Sequence, residues 1–166
     1  MHVIDACFRR LSDISIPDVL GEIGVYVLWS GRAKARPSYI GEGNVLSRLI
    51  SHHGRSSRPF DGFAAVLSGA DVPWQRAKSN ATIVEAMLLC VAQDTDRAPA
   101  ENLAPGTFRA LDDLFERHGT VRINVSGFDP LRAPEESPRI QGCKRIVLRN
   151  ATGELEHDWR YRRRRD

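Results

Sequence analysis

Three observations predict an α+β chain. Short apolar runs rich in aromatic and β-branched residues recur between polar, breaker-rich connections, as strands do. Two stretches of helical periodicity each begin just after an asparagine, Asn44 and Asn80, a residue type that caps helix starts. A last pair of strand-like runs flanks an Asn-Ala-Thr-Gly turn, so the chain closes in a hairpin.

The elements follow in order. Residues 1–20 read as a short helical or irregular lead-in closed by Pro17. Gly24–Trp29 is an apolar strand, and the polar connection SGRAKARP separates it from Ser38–Gly41, which resumes the strand and pairs antiparallel with it. Asn44 caps a helix over Val45–His53 whose apolar face is Val45, Leu46, Leu49 and Ile50, with Gly54 as its stop. Phe63–Leu67 is a third strand. The loop SGADVPWQRAKSN then delivers Asn80 as cap of a helix over Ala81–Gln93, so apolar that it reads as buried all round. Beyond a loop at Pro99–Pro105, Thr107–His118 reads as an amphipathic helix. Val121–Val125 is a strand, GFDPLRAPEESPR is irregular, and Lys144–Arg149 with Glu154–Trp159 form the final hairpin. The division is a core over residues 1–119 and a small C-terminal β-hairpin extension over 120–166 that ends in an Arg-rich tail.

A chain of 166 residues buries a real core without staples. No apolar run reaches the roughly 18–20 residues that a membrane span needs, and the N-terminus lacks the apolar core of a secretory signal. Cys7, Cys90 and Cys143 are odd in number and show no zinc spacing, which suits reduced thiols of a cytoplasmic protein. Net charge is only +3, yet 21 of the 24 basic residues are Arg. Arg holds phosphate through a planar fork that Lys lacks, although a GC-rich genome produces the same bias. The tail around Arg162, Arg163 and Arg164 is either a solubilising end or a contact to a phosphate backbone.

Five residues carry the candidate chemistry. Glu85 sits in the apolar run ATIVEAMLLCVA, where a carboxylate needs either a structural Arg partner or a cation. Arg48 and His52 stand one turn apart on their helix, on the side opposite Leu49 and Ile50. An Arg can offset charge on a phosphate in its transition state, and a His moves protons near neutral pH; a solvated helix face has the same pattern. Tyr26 and Tyr39 suit a strand core equally well. A tyrosine acts as a general base only where positive charge pulls down its pKa of about 10.

Taken together, Gly24-Val25-Tyr26, Tyr39-Ile40-Gly41, Arg48 nine residues after Tyr39, and Glu85 on a later helix resemble the signature of the GIY-YIG nuclease family. The resemblance covers roughly residues 22–103. It implies three antiparallel strands flanked by helices and a metal-dependent endonuclease that hydrolyses phosphodiester bonds. The resemblance assigns one Mg²⁺ or Mn²⁺ to Glu85, charge stabilisation to Arg48, water activation to one of Tyr26 and Tyr39, and proton transfer or phosphate contact to His52. It makes Asn102 a tether. Where many members carry Ser or Thr shortly after the second motif, this chain has Glu42-Gly43-Asn44.

The implied partner is DNA, with RNA as the alternative substrate, no membrane and no organic cofactor. Arg32, Lys34 and Arg36 of the basic connection approach the phosphate backbone. An enzyme reading a palindrome would act as a homodimer. A nucleic-acid-binding module without cleavage, and a nuclease toxin, are the competing readings. Four of the histidines, His52, His53, His118 and His157, have spacings that match no metal site.

Overall fold

A computed structural model of the chain describes residues 1–30, 35–55, 60–101, 119–149 and 152–160. It is an α+β structure built on one mixed sheet of seven strands, larger than the three strands expected. The strands are β1 (His2–Arg10), β2 (Ile23–Ser30), β3 (Tyr39–Asn44), β4 (Phe60–Val66), β5 (Thr120–Gly127), β6 (Lys144–Arg149) and β7 (Glu154–His157), in the order β3-β2-β4-β1-β5-β6-β7. Among the described residues three α-helices accompany them: α1 (Ile16–Val19), α2 (Val45–Arg55) and α3 (Trp74–Asp94).

The sheet grew beyond expectation because the N-terminal segment is a strand. In β1, Ile4, Ala6 and Phe8 are buried while Val3, Asp5 and Cys7 are exposed, the two-residue period of a half-buried strand. Small Ala6 and polar-flanked Cys7 blur that alternation in sequence, and of the helical or irregular lead-in expected over residues 1–20 there remain a 3-10 turn at Leu11–Asp13 and one turn at α1. β1 then joins the sheet's two parts. Its end pairs antiparallel with β4 through Arg9↔Ala64 and Arg10↔Phe63, and His2–Phe8 runs parallel to Val121–Gly127 of β5. The segment from Thr120 onward therefore extends the same sheet, with β6 and β7 added antiparallel.

β3, β2 and β4 form three consecutive antiparallel strands, in which Tyr26 pairs with Gly41 and with Ala64. One face of the sheet meets α3. Ile83, Val84, Met87, Leu88 and Val91 pack there in one core cluster with Val25, Val27, Ile40, Phe8, Ile123 and Ile146. Each such side chain contributes roughly 1.5–3 kcal/mol on burial. On the opposite face, Val45 with Leu46 and Leu49 packs against Tyr26, Leu28 and Ala64.

Several boundaries moved for local reasons. Asn44 does cap α2, accepting the Ser47 amide at 3.0 Å. Gly54 does not stop that helix, which continues through Arg55, and Ile50 is 63% exposed and so stands outside the apolar face. α3 starts after Pro73, well before Ala81. Asn80 is thus no cap; its side chain reaches across to His2, with Oδ1 2.9 Å from Nε2. Nor is α3 buried all round, since Thr82, Glu85, Leu89 and Cys90 are only half-buried. The expected helix at Thr107–His118 lies outside the described residues.

The irregular segment after β5 is pinned by one carboxylate. Asp129, 1% exposed, accepts the Leu131 amide at 3.0 Å, the Trp159 indole N–H at 3.0 Å and the Lys144 ammonium at 2.8 Å. Next to it, the Trp29 indole donates to the Pro130 carbonyl at 3.1 Å, joining β2 to the same segment. Trp159 is 2% exposed, so it is not available to stack on a base.

Candidate functional site

The chemistry-bearing residues gather at the β3 edge of the sheet because two glycines clear the way. Gly41 pairs with Tyr26, and a Cβ there would meet Tyr26 Oη and Tyr39 Cε1, each at 2.5 Å. Without that Cβ the two phenol rings lie over the strand, stacked 14° from parallel with centroids 5.9 Å apart. Gly43 has φ +127°, a conformation other residues rarely adopt, and Arg48 Nε lies 3.2 Å from where its Cβ would be. So the YIG glycine makes room for the tyrosines, and the next glycine makes room for the arginine.

α2 supplies Arg48 and His52. His52 comes seven residues after buried Val45, two helical turns on, and therefore looks toward the sheet and not away from Leu49 as the sequence suggested. Its ring sits 4.6 Å from the Tyr39 ring and 5.6 Å from the Tyr26 ring, centroid to centroid. Tyr26 Oη is 3.2 Å from His52 Nε2. Arg48 stays exposed on the rim, where its charge acts on Tyr26, Glu42 and Glu85.

Electrostatics divides the site. Tyr26 is 1% exposed, and burial pushes its phenol above the ordinary value; Tyr39 adds to the rise, Arg48 opposes it and Glu85 adds again. The expectation that Arg48 lowers the tyrosine is met in sign, but desolvation outweighs it. From α3, half-buried Glu85 is pushed up to about 7, first by burial and then by the negative charge of Glu42, with Arg48 opposing. Glu42 is raised by burial, against the pull of Lys78 and Arg48. Its Oε2 is buried with no hydrogen-bond partner among the described residues.

The structure thus brings together Tyr26, Tyr39, Arg48, His52 and Glu85. Sequence reasoning missed Glu42 and Lys78. Glu42 was visible as the departure that follows Tyr39-Ile40-Gly41, whereas Lys78 was assigned to a loop and became a site residue only because α3 starts early. Arg36 is exposed beside β3. Arg32, Lys34, Asn102, Arg162, Arg163 and Arg164 lie outside the described residues.

Among the described residues no group of three or more His, Cys, Asp or Glu side chains is placed to hold a metal ion. Glu42 lies close enough to Glu85 for its charge to raise that carboxyl. Cys7, Cys90 and Cys143 are all unpaired thiols. No described helix is long and apolar enough to cross a membrane. Comparison with family models, with curated proteins and with solved structures finds no match to this chain.

Proposed function

We propose that this chain is a metal-dependent endonuclease of the GIY-YIG type that hydrolyses phosphodiester bonds of DNA. The observation that carries the reading is the convergence of Tyr26, Tyr39 and His52 in ring contact, under the charges of Arg48 and Glu85, at one sheet edge. Three of the seven strands, β3-β2-β4, are consecutive and antiparallel with α3 on one face, which supports the reading.

The residues fit a hard divalent cation. Glu42 leaves a buried carboxylate oxygen unpartnered, and Glu85 is raised by the neighbouring Glu42 charge, so a cation would relieve both. Mg²⁺ is commonly held by one or two carboxylates together with waters and substrate phosphate oxygens, so Glu85 and Glu42 suffice as its protein ligands. When bound, the ion supplies Lewis acidity at the scissile phosphate.

The chain's own groups do the rest. Arg48, on the open rim, pairs with the phosphate and offsets negative charge that grows in the transition state. Tyr26 is the tyrosine that handles the proton, because its hydroxyl is hydrogen-bonded to His52. A phenol raised by burial stays protonated at pH 7, so it acts as a relay that takes the proton of the attacking water as it gives its own to His52 Nε2. Tyr39 stacks on Tyr26 and fixes the ring. A labelled duplex incubated with Mg²⁺ or with EDTA tests the reading: metal-dependent strand scission supports it, and an intact duplex under every metal tried rules it out.

A further inference from the structure

We propose that an arginine-lined groove on the β5–β7 part of the sheet binds the phosphodiester backbone of nucleic acid. The inference rests on the nuclease reading for its choice of ligand. The groove encloses about 580 Å³ and is lined by Arg122, Arg145, Arg149 and Arg160, with Glu156 and Asp158 as its acidic members.

Strand alternation builds it. Val121, Ile123, Ile146 and Leu148 point into the core, so Arg122, Arg145 and Arg149 must emerge on the opposite face. Four arginines against two carboxylates leave the groove cationic. Arg145 meets Asp158 at 3.2 Å and Arg149 meets Glu156 at 3.4 Å, both as exposed pairs that hold little energy and exchange readily for phosphate. Arg122 lacks that compensation: its Nε is buried with no hydrogen-bond partner among the described residues. A buried guanidinium N–H left unpaired is costly, and an anion in the groove offsets that cost.

The register also places this groove relative to the candidate active site. Tyr26 pairs with Ala64, Ala64 with Arg9, and along β1 the same face carries Cys7, Asp5 and Val3. Val3 pairs with Arg122, and the Asn124 amide bonds the Asp5 carboxylate at 2.7 Å. Tyr26 and Arg122 therefore project from one continuous face. β3 and β6 are five strand positions apart, about 24 Å at ~4.8 Å per strand, and the step from Arg9 to Val3 along β1 adds about 20 Å at ~3.3 Å per residue. One duplex covers the resulting span of about 31 Å with about nine base pairs at ~3.4 Å each.

The test is fluorescence anisotropy of a labelled 20-base-pair DNA duplex, in EDTA, over a range of salt. Arg149→Gln combined with Arg160→Gln changes two exposed positions, and Arg122→Gln probes the half-buried one. Removing two phosphate contacts should weaken binding at least tenfold and make the log–log salt slope shallower by about 1.8. Arg149→Lys with Arg160→Lys should keep most of the slope. Hydrolysis of bis(p-nitrophenyl) phosphate, too small to touch both places, should be unchanged in the double Gln variant. If affinity and slope are both unchanged in that variant, the groove does not hold the backbone, even if the protein cuts DNA. If they fall while neither substrate is ever hydrolysed, the groove stands and the nuclease reading fails.

Discussion

The Tyr26 hydroxyl and the Nε2 of His52 stand 3.2 Å apart, joining β2 to α2 across 26 positions of sequence. If this pair moves one proton, its members act as a unit. Tyr26→Phe and His52→Ala should each lower single-turnover cleavage by about 100-fold or more. The double variant should be hardly slower than either single one. Fully additive losses in a kinetic cycle would show that the two groups act separately.

Gly41 is where backbone decides chemistry. A methyl group at this position lands 2.5 Å from both tyrosines. Gly41→Ala should therefore displace the stacked rings, cost roughly 1–3 kcal/mol of stability as overpacking does, and slow cleavage as far as Tyr26→Phe does. Gly54→Ala, which meets nothing within 4 Å, is the matched control and should leave both properties intact. Unfolding curves and cleavage rates for the two variants check this.

Glu85 makes stability depend on pH in an unusual direction. Its carboxyl is pushed up to about 7 from 4.5, so the folded state binds the proton more tightly than the unfolded chain does. The metal-free protein should gain stability as pH falls from about 7 to about 4.5, and lose it as pH rises through the same window. At 1.36 kcal/mol per pKa unit the change is at most about 3 kcal/mol, and solvent screening of a half-buried group reduces it. Glu85→Gln should flatten the curve. Mg²⁺ should raise Tm at pH 8 and lose that effect toward pH 5, where the ligand must first give up a proton. A Tm that is flat between pH 5 and 8 in EDTA contradicts the assignment.

Asp129 ties the segment after β5 to the rest of the sheet. It accepts from Leu131, Trp159 and Lys144 while 1% exposed. Asp129→Ala removes one acceptor of the Lys144 ammonium and that of the Trp159 indole N–H, a change that costs about 3–5 kcal/mol where a buried pair is broken. Chemical denaturation measures it. The purified variant, where folded, should cleave at the wild-type rate.

Much of the architecture is legible in the sequence where a local signal decides it. The apolar run of β2, the Asn44 cap and the Gly153 turn each carry their own chemistry. The structure gives β2, a 3.0 Å cap bond and a left-handed Gly153 at φ 65°. β1 was missed because its alternation runs through Ala6 and Cys7, which are weak markers of a strand. The start of α3 was missed because Pro73 and the polar stretch WQRAKSN look like loop, and only packing of Ala77 and Ala81 against the sheet shows that they are helix.

The candidate site divides the same way. Tyr26, Tyr39, Arg48, His52 and Glu85 were legible because their residue types and spacing form a joint pattern. Glu42 was read as a departure from that pattern, since nothing in the sequence says that it shares space with Glu85. The same limit hid the groove: Arg122 and Arg149 are 27 residues apart in sequence, and antiparallel pairing of β5 with β6 is what makes them neighbours.

The most direct measurement is cleavage of supercoiled plasmid by purified wild type and Glu85→Ala, each in Mg²⁺, Mn²⁺ and EDTA. Wild type should give nicked and linear product with either metal, and the variant and every chelated sample should give none. Discrete fragments would add that the enzyme reads sequence, and a smear that it does not. Cleavage by Glu85→Ala equal to wild type, or an uncut plasmid in every metal with wild type, contradicts the account.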